Sequence, residues 1–170
     1  MIRYIVKMFR ALNANANPGE IAHAFSIALL LGFLPKNNLL WYLFFIFFLF
    51  VRINKGAYFL LMILFSMIAS TFDPIFNSFG YKVLTLPALE GFFGTLIEIP
   101  FVGFTRFNNT IVMGSLISGI VLYIPMYIFG RFFVKFWRST IAARLRKSPV
   151  LKAFYNLPLV DKFKSVALGD

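Results

Sequence analysis

The sequence predicts an all-α, polytopic membrane protein of about four crossings, with short broken or re-entrant helical hairpins and basic amphipathic helices at both termini. Three observations carry that class. Hydrophobic residues make up 60% of the 170-residue chain, with 24 Phe and a mean hydropathy of +0.81, whereas a soluble domain is about half apolar even with Gly counted. Residues 21–51 read IAHAFSIALLLGFLPKNNLLWYLFFIFFLFV, two arms apolar on nearly every face, and a half-solvated helix shows a polar stripe roughly every 3.6 residues. Finally, 17 Lys+Arg against six Asp+Glu lie mostly outside the apolar runs. Anionic lipid head groups on the cytoplasmic side are therefore the expected partner, and nucleic acid is not.

Composition also narrows the chemistry. With no Cys, structural disulfides and thiolate metal sites are excluded, and one His makes a histidine-based metal site unexpected. No nucleophile–base pair or metal cluster stands out, so neither an enzyme nor a cofactor is expected.

Residues 1–17 are read as an amphipathic N-terminal helix and linker. Ile2, Ile5, Val6, Phe9 and Leu12 recur at helical spacing with Arg3, Lys7 and Arg10 between them, the pattern of an in-plane helix on an anionic surface. An unbroken apolar core and a small-residue cleavage site are both missing, which argues against a cleavable signal. Residues 18–130 are the helical membrane domain. Asn17-Pro18-Gly19-Glu20 supplies a cap, a Pro at the first helical position and a Glu as capping-box partner.

Helix A then runs to about Phe33 and helix B over residues 39–51, joined by Gly32-Phe33-Leu34-Pro35-Lys36-Asn37-Asn38. Pro35 cannot donate to the helical ladder, and Asn37 or Asn38 caps helix B. Each arm is about 21 Å long, short of a hydrocarbon core of about 30 Å. Either the arms extend through their polar ends across a thinned bilayer, or the hairpin is re-entrant with its tip in a protein-lined cavity. The short apolar arms favour the second arrangement, and Lys36 at the tip weighs against it.

After the basic turn Arg52-Ile53-Asn54-Lys55-Gly56, helix C is expected over residues 57–72, ending at Asp73-Pro74. Residues 75–90 are mixed, with a short interfacial helix. Helix D occupies residues 88–104, interrupted by Pro100, and helix E over residues 110–129 is long enough to span. Gly114, Ser115, Ser118 and Gly119 form overlapping small pairs at four-residue spacing, which permit close helix packing. Residues 131–170 are a basic amphipathic tail in which Arg131, Lys135, Arg138, Arg144, Arg146, Lys147, Lys152, Lys162 and Lys164 carry over half of the 17 positive charges. The positive-inside rule puts the tail, the N-terminal helix and the Arg52 turn in the cytoplasm, with crossings A out, B back, C out and E back.

An ionisable residue at bilayer depth costs at least about 2.5 kcal/mol and is usually paired or functional. Glu98 and Arg106 therefore either sit at head-group level or form a buried pair lining a polar path. His23 is either a packing residue or, given the ordinary titration range of histidine, a proton relay. Asp73 is read as a helix-end group. A weak repeat adds to this: residues 32–38 and 103–109 share Gly, Phe, Asn and Asn at the same offsets, the last two being Asn37-Asn38 and Asn108-Asn109. Two such units around one crossing would face opposite sides, as in broken-helix transporters whose sites lie where the breaks meet. The candidate head-group path is accordingly His23, Pro35, Asn37, Asn38, Glu98, Arg106, Asn108 and Asn109.

The ordered set Gly32-Phe33-Leu34-Pro35, Arg52-Ile53-Asn54 and Asp73-Pro74 with Gly80 resembles the core of a small bacterial inner-membrane family, the domain of unknown function two-thousand-and-sixty-two family. Its pattern is Gly-Phe-x-Pro, then Arg-x-Asn, then Asn-Pro. Asp73 replaces the usual Asn, and Lys36-Asn37-Asn38 replaces a Gly-rich tip, so the resemblance is to a divergent branch and covers residues 18–83. It implies a small helical protein of the bacterial cytoplasmic membrane, in a family sometimes attached to glycosyltransferases and without an established reaction. A similar branch occurs beside large envelope proteins of the bridge-like lipid-transfer type, which implies lipid handling. The leading expectation is thus an anchor or feeder for a larger envelope lipid-transfer or biogenesis partner. An autonomous re-entrant-helix lipid transporter or scramblase, and a structural scaffold, are the alternatives.

Overall fold

A computed structural model describes residues 17–141. The amphipathic helix expected over residues 1–12 and the basic tail beyond residue 141 lie outside the described residues. The chain divides into two compact units between Phe132 and Phe133. Every described element is helical or a turn, with no strand among the described residues.

In the first unit, α1 (Pro18–Phe33) is the hub, with twelve of its 16 residues buried. Asn17 starts it, its side chain accepting from the Gly19 amide at 3.0 Å, with Pro18 at the first position. The expected capping-box role of Glu20 is not taken up. Glu20 instead lies 3.2 Å from the Arg52 guanidinium, and its backbone carbonyl accepts from the Asn54 amide at 3.3 Å. The turn after α2 (Leu39–Phe50) is thereby tied to the start of α1.

α3 (Lys55–Ala69), capped by Asn54, runs parallel to α1 and packs along it. At the far end Gly32 lies against Met62, Phe65 and Ser66. The expected stop at Asp73-Pro74 does not occur. A 3₁₀ turn (Ser70–Phe72) leads directly into α4 (Asp73–Leu84), so one helix runs from Lys55 to Leu84. The physical reason is local: the Asp73 amide takes the Ser70 carbonyl. That carbonyl would otherwise want the N–H that Pro74 lacks, and a proline at the opening of a new helical run costs nothing. The short interfacial helix expected over residues 75–90 is this continuation.

α5 (Glu90–Glu98) and a 3₁₀ turn (Val102–Thr105) stand where one helix interrupted at Pro100 was expected. α6 (Thr110–Val121) runs antiparallel to α4 and also contacts α1. The single helix expected over residues 110–129 is bent by 51° at Leu122, where α6 gives way to α7 (Tyr123–Phe136). Pro125 explains the break, because its ring meets the carbonyl four residues back and offers no N–H to it. Ser26 on α1 holds the bend, its hydroxyl donating to the Tyr123 carbonyl at 2.8 Å.

Phe33 anchors the packing between α1 and the long helix, with ring centroids 6.0, 5.4 and 5.2 Å from Phe65, Phe72 and Phe76. In the second unit, the described residues end in a π-helical turn (Trp137–Ile141), with Phe133 stacked on Trp137.

Among the described residues, one continuous helix, Lys55–Leu84, is long and apolar enough to cross a membrane. The bent pair Thr110–Val121 and Tyr123–Thr140 makes a second if counted as one span, while α1 and α2 are shorter apolar helices. The four separate crossings expected from sequence are therefore not what helix length supports.

Candidate functional site

Three interruptions of helix meet at one place. At the first, α1 ends at Leu34, which turns extended (φ −69°, ψ 129°), and Pro35 closes off further helix. Asn38 secures the reversal: its carbonyl oxygen accepts from the Trp41 amide at 2.8 Å and its NH₂ donates to the Pro35 carbonyl. The Trp41 indole then donates back to the Leu31 carbonyl at 3.0 Å. At the second interruption, Phe101 and Arg106 both have left-handed backbone (φ 70° and 52°), a region that costs a residue with a Cβ roughly 1–2 kcal/mol. Asn109 ends this irregular stretch by accepting from the Ile111 and Val112 amides at 3.0 and 3.2 Å. The third interruption is the 3₁₀ junction before Asp73.

Between them lies a cavity of about 380 Å³. The first break contributes Pro35, Lys36 and Asn37, the second Arg106 and Asn109, and the α3–α4 junction Ser66, Ser70 and Asp73. Phe33, Leu34, Ala69, Ile111 and Val112 supply its apolar part. Its charges are two cations and one carboxylate. Among the described residues, the side chains of Lys36, Asn37, Asp73 and Arg106 make no hydrogen bond or ion pair. Asp73 is half-buried, whereas Lys36, Asn37 and Arg106 are exposed at the mouth.

Of the residues proposed from sequence, Pro35, Asn37, Arg106 and Asn109 come together here. Asn38 lies beside the cavity as a buried cap, and Asn108 is exposed and outside it. The buried Glu98–Arg106 pair is not formed: Glu98, the last residue of α5, is exposed and joined to Arg106 by no ion pair. His23 is also elsewhere. Its Nδ1 is 2.9 Å from the Tyr123 hydroxyl and its ring packs 4.6 Å from Tyr127, bracing α1 against the bend. Asp73, Ser66 and Ser70 were not expected in the site. Asp73 carries a readable signal, an acidic residue between apolar helices, but only the passage of the long helix through its 3₁₀ turn brings it to the other two breaks.

A protein of Treponema pallidum (strain Nichols), described as an uncharacterized protein, is 40% identical over 162 residues, 95% of this chain and 100% of its own length. The chain belongs to that protein's family. No family model matches the chain, and no solved structure matches it.

Proposed function

We propose that this chain is a multi-pass membrane protein that receives a phospholipid head group in the cavity between its helix breaks and so assists lipid movement across the bilayer. The supporting observation is the position of the cavity along the long helix. Lys55–Leu84 has 30 residues, about 45 Å of helix, and the cavity residues Ser66, Ser70 and Asp73 lie near its middle. With that helix across a hydrocarbon core of about 30 Å, the cavity sits at mid-depth.

Several features agree with this placement. Only 6% of the most apolar stretch of the long helix is buried in the protein, so its surroundings supply the apolar solvent that a core helix finds in its neighbours. α1 and α2 have 16 and 12 residues, about 24 and 18 Å, which suits a hairpin that enters and returns. Irregular backbone at depth is tolerated where it lines a cavity, and broken-helix transporters use such places as substrate sites. The topology then has two crossings, the long helix and the bent α6–α7 pair, and both basic ends share the cytoplasmic face. A bacterial inner-membrane location and the resemblance to the two-thousand-and-sixty-two family belong to the same reading.

A second reading, the anchor or feeder of a larger envelope partner, draws on α2. Trp41 is its buried residue, while Tyr42, Leu43, Ile46, Phe47 and Phe50 are all exposed. Reconstitution separates the two. Liposomes containing the purified chain that scramble labelled phospholipid, and lose this with Lys36→Ala plus Arg106→Ala, support autonomous movement. Inactive liposomes, with co-purification of a large periplasm-spanning protein, favour the anchor.

A further inference from the structure

We infer that the cavity selects a head group bearing both a phosphate and an ammonium, with Asp73 receiving the ammonium. This rests on the head-group reading above and narrows it to a ligand class. Lys36 and Arg106 line the same cavity as Asp73, yet no ion pair within 4.0 Å joins Asp73 to either. Opposite charges thus line one cavity without neutralising each other.

The charge pattern discriminates among occupants. A phosphate alone satisfies Lys36 and Arg106, Arg being suited to two parallel bonds with phosphate oxygens. It also brings a second anion up to the half-buried Asp73 carboxylate, an unfavourable pairing of like charges. An ammonium alone satisfies Asp73 and opposes the two cations. A phosphate and an ammonium joined by two carbons match the signs of all three charges, and about 380 Å³ lies within the range of small-ligand sites. The Asn37 amide, unengaged within the protein, adds a neutral donor. The Asn109 carbonyl oxygen is already engaged, accepting from the Ile111 and Val112 amides at the start of α6. Arg106 holds a left-handed backbone at this wall, and residues kept in costly conformations cluster at ligand sites. The apolar lining of Phe33, Leu34 and Ile111 favours a head group on a lipid over a free phosphate ester.

The full-length chain, exchanged into detergent with equimolar phosphatidylethanolamine and phosphatidylglycerol, tests this by native mass spectrometry of retained lipid. Phosphatidylethanolamine is expected to be retained about tenfold over phosphatidylglycerol, the scale of one charge-assisted contact. Asp73→Asn is expected to bring the ratio close to one with total retention kept, and Asp73→Glu to preserve it, with melting temperatures confirming that both variants fold. Equal retention by the native chain, or an unchanged preference in Asp73→Asn, overturns the assignment to Asp73 while leaving a head-group site in place. If neither lipid is retained but free O-phosphoethanolamine binds and Asp73→Asn abolishes this, the ligand chemistry stands and its source is soluble. If neither lipid nor the free ester binds, both this inference and the head-group reading fall.

Discussion

Gly80 lies against Gly114: a Cβ built on Gly80 would overlap the Thr110 carbonyl and sit 2.8 Å from the Gly114 amide nitrogen, and one on Gly114 would overlap the Phe76 carbonyl. α4 and α6 therefore touch backbone to backbone. This contact fixes how the second helix break is presented to the cavity, since Asn109 and Thr110 begin α6 at that crossing. Gly114→Ala or Gly80→Ala should destabilise the protein by about 1–3 kcal/mol, the usual cost of overpacking, or more because backbone must move. Gly94, with nothing within 4 Å of a built Cβ, is the matched control inside α5. Gly94→Ala should be neutral or gain up to about 1 kcal/mol of helix propensity. Thermal unfolding in detergent compares the three, and equal melting temperatures would refute the close contact.

The left-handed Arg106 sets stability against binding. Arg106→Gly should stabilise the fold by about 1 kcal/mol relative to Arg106→Ala, because only glycine relieves the backbone cost. Both variants should lose lipid retention equally, since both lose the guanidinium. A melting temperature for Arg106→Gly at or below that of Arg106→Ala would show that the conformation carries no such cost.

Lys55 closes the C-terminal end of α2. Its ammonium donates to the Phe48, Leu49 and Val51 carbonyls at 3.1, 2.7 and 2.5 Å, satisfying groups that the helix leaves open. Lys55→Met keeps the side chain's length and removes these donors. It should cost roughly 1–3 kcal/mol, the scale of a charge-assisted bond lost where carbonyls stay unpaired. An unchanged melting temperature would show that water or lipid head groups cap the helix as well as Lys55 does.

Pro125 should control the bend. Spin labels at positions 110 and 131 should move apart by about 3 Å in Pro125→Ala, as two arms set at 51° straighten into a continuous helix at 1.5 Å per residue. If the distance stays fixed, the Ser26–Tyr123 contact holds the bend without the proline.

Membrane sidedness is tested directly. With the long helix as a crossing, Arg52→Cys and Glu90→Cys should react with a membrane-impermeant thiol reagent from opposite faces, in a chain with no native Cys to interfere. Labelling of both from one face would rule out that crossing.

Much of the local structure is legible in the residues themselves. Asn17, Pro18, Pro35 and the Asn37-Asn38 pair mark where α1 starts, stops and gives way to α2, because caps and prolines act within a turn of their own position. The small residues of α6 announce close packing, but not that Gly80 is the partner of Gly114. Asp73-Pro74 reads as a stop and is a junction, because whether a proline ends a helix depends on which carbonyl it orphans, and here the Asp73 amide takes the Ser70 carbonyl. Pro125 carried the signal for the bend, obscured by the uniformly apolar residues around it.

Composition and local punctuation thus determined the helical class, the apolar character of the helices and the two breaks, since each depends on residues within a few positions of one another. The tertiary structure alone decided that Pro35, Asn37, Asp73, Arg106 and Asn109 share one cavity, and that Glu98 and His23 do not. Those relationships join residues far apart along the chain. They are set by how α1 meets α3 at Gly32 and α4 meets α6 at Gly80 and Gly114, for which no short-range pattern in the chain is a proxy.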